Sequence, residues 1–148
     1  MLLLRDSVSL DAAPDRVWSW LIGLADHYTE WHPDHLEAEW ERGEPTRVGS
    51  VLRIVEILGG HKEELRLKLT VVEPPRRFAY RILGVHRAVI AGGAFEIAPV
   101  EQGCVFTATL RCRGGRLVAR VFRRRLATLR VHMSEEGEQL RRLVAASG

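Results

Sequence analysis

The feature that most limits the fold of this chain is a long succession of β signals closed by one long helical stretch. Between residues 36 and 113, six segments read as strands: Leu36 to Trp40, Ser50 to Leu58, His61 to Glu73, Phe78 to Leu83, Val89 to Val100 and Cys104 to Arg113. Gly, Pro and charged turn residues separate them, so the links are short and the strands form an antiparallel meander. The pattern then changes to a helical period from about Arg116 to Ala146, with Leu126, Leu129, Met133, Leu140 and Leu143 along one stripe and no proline inside it. One helix of that length runs about 45 Å. Laid across a curved sheet, it covers the apolar face and leaves a cavity between the two.

Ahead of the meander, Leu3 to Leu10 reads as a further strand, which brings the sheet to about seven. Asp11-Ala12-Ala13-Pro14-Asp15 has the proline and acidic residues of a helix start, and Val17, Trp18, Leu21 and Ile22 give that helix an apolar face. A second short helix spans roughly Ala25 to Glu30, and Pro33 ends it. The expected class is therefore α+β. The 148 residues suffice for one domain with a real core and are too few for two.

All but Lys62 and Lys68 of the 22 basic residues are arginine, and Arg116, Arg120, Arg123, Arg124, Arg125 and Arg130 cluster at the start of the last helix. Leu117, Val121, Phe122, Leu126 and Leu129 alternate with them at helical spacing, which describes the solvated side of an amphipathic helix. No nucleic-acid-reading motif accompanies the charge, so no nucleic-acid partner is expected. No run of about 18 apolar residues exists to cross a bilayer, and Leu2-Leu3-Leu4 is too short for a signal peptide, so no membrane role is expected either. Cys104 and Cys112 share one strand at a separation of roughly 26 Å, beyond disulfide reach. A reducing, cytoplasmic location fits.

Three groups of polar residues stand out. His132 and Glu136 lie four apart on the last helix and project from one face, inside or beside its leucine stripe. On the surface they would be an ordinary i,i+4 pair; turned inward, they place two metal-ligand types in the core. Gly137, costly inside a helix by about 1 kcal/mol, marks a close approach there. In the strand His61 to Glu73, the alternation Leu65, Leu67, Leu69, Val71 extends backward to Glu63 and His61, which either point into the cavity or fray into solvent. Trp31-His32-Pro33-Asp34-His35 supplies the third group, in a loop.

The stretches Ala13-Pro14-Asp15-Arg16-Val17-Trp18, Tyr28-Thr29-Glu30-Trp31-His32-Pro33, Arg47-Val48-Gly49-Ser50, Val72-Glu73-Pro74-Pro75-Arg76-Arg77-Phe78 and Phe95-Glu96-Ile97-Ala98-Pro99-Val100 resemble the START-like, or polyketide cyclase/dehydrase, superfamily over nearly the whole chain. The resemblance implies a helix-grip fold in a single domain, with a small hydrophobic or aromatic molecule as partner; a homodimer is a separate expectation. It leaves the activity open, because carriers, receptors, cyclases and hydrolases share that scaffold.

Within that superfamily, the set His32, Glu63, His132 and Glu136 is similar to the ligands of the zinc-dependent diacetylphloroglucinol hydrolases, which cleave a carbon–carbon bond in an acylated phenol. The resemblance to those longer enzymes implies zinc as the cofactor, and imidazole with carboxylate also suits iron or manganese. His35 or His61 could stand in for His32 or Glu63, being two or three residues away. Cleavage needs an acid for the departing ring carbon, and His35, His86 and Tyr28 are the candidates. The rival expectation is a metal-free binder, carrier or cyclase holding a polyketide or lipid in the same cavity.

Overall fold

The structure is a computed structural model that describes residues 1–146. Its order is β1 (Leu2–Leu10), α1 (Pro14–Ile22), α2 (Leu24–Trp31), β2 (His35–Arg42), β3 (Val51–Leu58), β4 (His61–Glu73), β5 (Arg77–Leu83), β6 (Ile90–Val100), β7 (Gly103–Cys112), α3 (Arg116–Val121) and α4 (Arg123–Ala146). The seven strands form one antiparallel sheet in the order β1-β7-β6-β5-β4-β3-β2, so the meander runs unbroken from β2 and closes on β1 through β7. This is the helix-grip architecture expected from the sequence. Among the described residues no helix is long and apolar enough to cross a membrane.

Pairing slips of the bulge type interrupt β2 twice, β4 with β5 at Leu69/Val71, and β6 with β7 at Ile90/Gly92. Bulges bend strands, and here they curl the sheet around its apolar face. Gly93 allows a close approach inside it. A Cβ there would lie 2.5 Å from the Thr109 carbonyl oxygen and 2.6 Å from the Tyr80 hydroxyl, so only glycine lets Tyr80 lie across β6.

The core is built from the inward residues of alternating strands, such as Leu52, Ile54, Leu65, Leu67, Leu69, Ile97 and Phe106, closed by Val17, Trp18 and Leu21 of α1 and Leu140 and Val144 of α4. Cys104 and Cys112 are buried and unpaired. The outer face of the sheet is charged, with Arg53 joined to Glu37, Glu39 and Glu64, and Arg66 to Glu41 and Glu64. Ion pairs this exposed contribute little stability each, but they keep that face solvated.

The last helix departs from the single rod expected over 116–146. It bends at Phe122, whose φ of −98° and ψ of 23° fall outside the helical range, although hydrogen bonds from Phe122 N to Val118 O and from Leu126 N to Phe122 O carry through. The reason lies in burial: Leu117 and Val121 are exposed, so no packing holds α3 in line with α4. Leu140, fully buried, anchors α4. Leu140→Ala is expected to cost about 3 kcal/mol in urea denaturation, whereas Leu117→Ala should stay within about 0.5 kcal/mol.

Candidate metal centre and ligand cavity

The site begins at the corner between α2 and β2. The turn closes through the His35 N–H to the His32 carbonyl at 3.0 Å, which turns His35 inward at the first position of β2. The His35 Nδ1–H donates to the Tyr28 carbonyl at 2.9 Å. A carbonyl only accepts, so Nδ1 carries the hydrogen and Nε2 presents its lone pair. That Nε2 is buried and, among the described residues, has no hydrogen-bond partner. It lies 3.1 Å from Glu136 Oε2 and 3.5 Å from Glu56 Oε2.

His132 enters from α4 in the mirror sense. Its Nε2 stands 3.4 Å from Glu136 Oε1 and 4.0 Å from Glu56 Oε2, while its Nδ1 faces Asp34 Oδ2 at 3.7 Å. Both imidazoles thus turn Nδ1 toward an acceptor and Nε2 toward the same two carboxylates, the arrangement that orients histidine ligands of a metal. Ligand atoms of His35, His132 and Glu136 lie within 4.8 Å of one another, close enough to hold one ion. The Tyr28 hydroxyl donates to Glu56 Oε2, and its ring stacks on His35 with centroids 3.9 Å apart. Trp31 ties the corner to the helix by donating its Nε1–H to the Glu136 carbonyl at 2.9 Å.

Burying these groups without a cation is costly. Desolvation pushes the Glu56 and Glu136 carboxyls up to about 7, and the neighbouring Glu136 charge adds to the effect on Glu56. Burial lowers His35 and His132, so both favour the neutral, metal-binding form. Burial, and then the charge of Glu56, raise the Tyr28 phenol well above its ordinary value, which keeps it a donor. The orphaned lone pair of His35 Nε2 and the His132 Nε2 beside it, both facing two carboxylates, form a donor set suited to a divalent cation. The residues fit the group.

Not every expected ligand reaches this centre. His132 and Glu136 do, on an inward stripe that also buries Gly137, where a Cβ would come within 3.1 Å of Asp6 Oδ2 on β1. His32 is buried beside His132, with ring centroids 4.2 Å apart, but its Nδ1 accepts the Asp34 N–H at 2.9 Å and its Nε2 faces Glu135 at 3.6 Å. His35 stands in its place, and with Nδ1 committed and Nε2 among the carboxylates, it is badly placed to act as the separate acid. His32, Asp34 and His132 form a second group of donors with atoms within 4.8 Å of one another.

Glu63 is not brought to the centre either. It shares the inward face, but its carboxylate meets His86 Nε2 at 2.8 Å, away from the imidazoles at 35 and 132. The place expected for it is taken by Glu56, directly across the β3–β4 ladder from Glu63 and across the β2–β3 ladder from His35. Each strand adds about 4.8 Å of lateral distance, so Glu63 is one strand too far. His61 is exposed and also lines the region around Glu63.

Two chambers open between sheet and helix. The inner one, about 90 Å³, is lined by Tyr28, Glu56, His132 and Glu136 together with Leu67, Ile82 and Phe95. The outer one, about 200 Å³, holds Glu63 and His86 among Val89, Val118, Phe122 and Leu126. Leu58, Ile90 and Leu129 line both, so the chambers share a wall.

A curved sheet gripping a helix over an apolar cavity defines a ligand-binding helix-grip protein. The family model described as polyketide cyclase / dehydrase and lipid transport matches residues 1–147, and the chain belongs to that family. Solved structures agree on the fold. Norcoclaurine synthase from Thalictrum flavum, in complex with dopamine and hydroxybenzaldehyde, is 15% identical with a TM-score of 0.75, over 99% of this chain and 88% of that one. The Zhui aromatase/cyclase from Streptomyces sp. R1128 is 16% identical with a TM-score of 0.76, over 97% and 93%. A protein from Thermus thermophilus is 14% identical with a TM-score of 0.78, over 99% of both chains. No curated protein matches by sequence.

The raised carboxyls make a signed prediction for metal-free protein prepared by chelation. Their folded pKa of about 7 exceeds the unfolded value of 4.5, so the folded state holds extra protons between those limits. That contribution is present below pH 4.5 and is lost as pH rises through about 7. Glu56→Gln removes one such loss, so between pH 5 and pH 8 the variant should lose about 2 kcal/mol less stability than the parent, read by urea denaturation.

Proposed function

We propose that this chain is a metal-dependent hydrolase that cleaves a carbon–carbon bond in an acylated phenol or similar aromatic ketone. The observation that carries the reading is the buried, unpartnered His35 Nε2 facing Glu56 and Glu136 beside His132. His35, Glu56, His132 and Glu136 would hold the ion, a two-histidine, two-carboxylate set of the kind that the resemblance to the diacetylphloroglucinol hydrolases implies. Zinc suits the set, and iron or manganese share its ligand types. A bound divalent cation supplies Lewis acidity, polarising a ketone oxygen and making water nucleophilic near neutral pH.

The chain's own residues do the rest. The apolar wall of Leu67, Ile82 and Phe95 holds an aromatic ring and excludes bulk water. Water adds its oxygen to the acyl carbon, the bond from that carbon to the ring breaks with its electron pair on the ring carbon, and a proton completes the arene. The products are a carboxylic acid and the deacylated phenol. Tyr28, whose hydroxyl already donates to Glu56, stands at the inner chamber as the proton source. His86, paired with Glu63, lies in the outer chamber beyond the wall of Leu58, Ile90 and Leu129 and takes no part in this step.

A second reading is a metal-free binder, carrier or cyclase for a hydrophobic molecule. It is favoured by the same carboxyls, since pKa values near 7 and the Tyr28 hydrogen bond let the cluster persist on protons alone. Elemental analysis of protein purified without chelators separates the two. The hydrolase predicts about one zinc, iron or manganese per chain. His35→Ala, His132→Ala and Glu136→Ala should each lose it, with circular dichroism unchanged, while Glu63→Gln should keep it. No metal in the parent, or full metal in all three alanine variants, overturns the assignment.

A further inference from the structure

The rim of the outer chamber carries a surface that neither the metal centre nor the core explains. Between Gln102 and Ser134 the chain holds arginine at 111, 113, 116, 120, 123, 124, 125 and 130, and no aspartate or glutamate. On the outer face of the sheet Arg53 and Arg66 are matched by glutamates. Among the described residues, no carboxylate lies within ion-pair distance of Arg116, Arg120, Arg123, Arg124 or Arg130. Arg125 rests over the Phe122 ring at 5.8 Å.

The apolar side chains interleaved with these arginines are not buried. Leu117 is 74% exposed and Val121 69%, and both project from α3 without lining either chamber. The turn at Val85–Ala88, whose His86 lines the same chamber as Val118 of α3, presents Val85, 83% exposed, and leads to Val89, 58% exposed. Val89, Val118 and Phe122 line the outer chamber itself, so apolar tips and guanidinium groups together surround its opening.

We propose that this rim docks on an anionic lipid bilayer surface, a peripheral contact contrary to the expectation of no membrane role, which rested on spanning and signal segments alone. Charge complementarity requires an anionic partner, because the segment carries cations alone. The apolar tips stand apart on a helix and a turn, ringed by arginine. A bilayer accepts such tips at any lateral spacing, seating them at the boundary between headgroups and acyl chains while the guanidinium groups meet phosphates. Docked in this way, the chamber opens toward the source of apolar ligands. The inference stands apart from the metal centre.

Vesicle co-sedimentation tests it, with phosphatidylcholine alone compared with phosphatidylcholine containing about 30 mol% phosphatidylglycerol. The protein should partition onto the anionic vesicles and not the neutral ones, and high salt should release it. Leu117→Ser with Val121→Ser leaves the charge unchanged and should lower the partition coefficient about tenfold. Val85→Ser, on the opposite rim, should weaken it independently. Arg120→Gln with Arg124→Gln should weaken it further, while thermal midpoint and metal content remain those of the parent. Failure of the parent to bind anionic vesicles overturns the proposal. So does binding that the serine variants leave intact, or equal affinity for soluble polyglutamate, which would mark a surface for acidic proteins.

Discussion

The encounter of one buried carboxylate, Glu56, and one half-buried, Glu136, with two neutral imidazole nitrogens, across the gap between sheet and helix, is the constraint on which the rest of the site depends. A carboxylate in so apolar a place requires a proton or a cation. The surrounding parts set up that choice without settling it by themselves. The Tyr28 carbonyl fixes the His35 tautomer, Asp34 faces the outer nitrogen of His132, and the Trp31 indole holds α4 at Glu136 against the corner from which His35 emerges. Remove the indole and the helix and corner lose the bond that sets their spacing.

The site is also a consequence of register. His35, Glu56 and Glu63 lie in one row across β2, β3 and β4, and continuing the β4–β5 pairing of Arg66 with Leu83 by three places brings Glu63 opposite His86. Four titratable residues therefore cross the inner face in a line. The row divides in the middle. Its first half turns toward His132 and Glu136 on α4, and its second half closes on itself as the Glu63–His86 pair. One ladder thereby furnishes the inner chamber with a donor set for a cation and the outer chamber with a hydrogen-bonding pair.

Much of the fold was legible because its signals are local. Proline at the start of α1, the turns between strands and the stripe of α4 each follow from short-range rules, and all seven strands fall within a few residues of their expected bounds. His132 and Glu136 were legible for the same reason, since one helix face carries both. Glu56 was not. In β4 the leucines alternate with charged residues and draw the eye to Glu63, but in β3 Leu52, Ile54 and Leu58 share the strand with Val51, Val55 and Ile57, so neither face stands out. Which of two facing glutamates reaches the helix depends on lateral distance across the sheet, and periodicity along one strand does not contain that distance. His35 is a similar case. Its advantage over His32 rests on which ring nitrogen meets a carbonyl and which meets an N–H, a property of the folded corner.

The bend at Phe122 shows the converse, a sequence signal that is locally sound and globally unmet. The helical spacing of Leu117, Val121, Leu126 and Leu129 suggests one continuous stripe, yet only the residues beyond the bend find a sheet to cover. A stripe needs a surface of matching length, and of α3 only Val118 and Ala119 reach the chamber that the strand residues Leu58, Ile90 and Cys112 line, while Leu117 and Val121 stay exposed. The local pattern thus specifies helix in both segments and burial in only one. The unburied segment is also the one in which every charge is positive, so the two properties that packing and pairing would ordinarily neutralise remain together at the cavity opening.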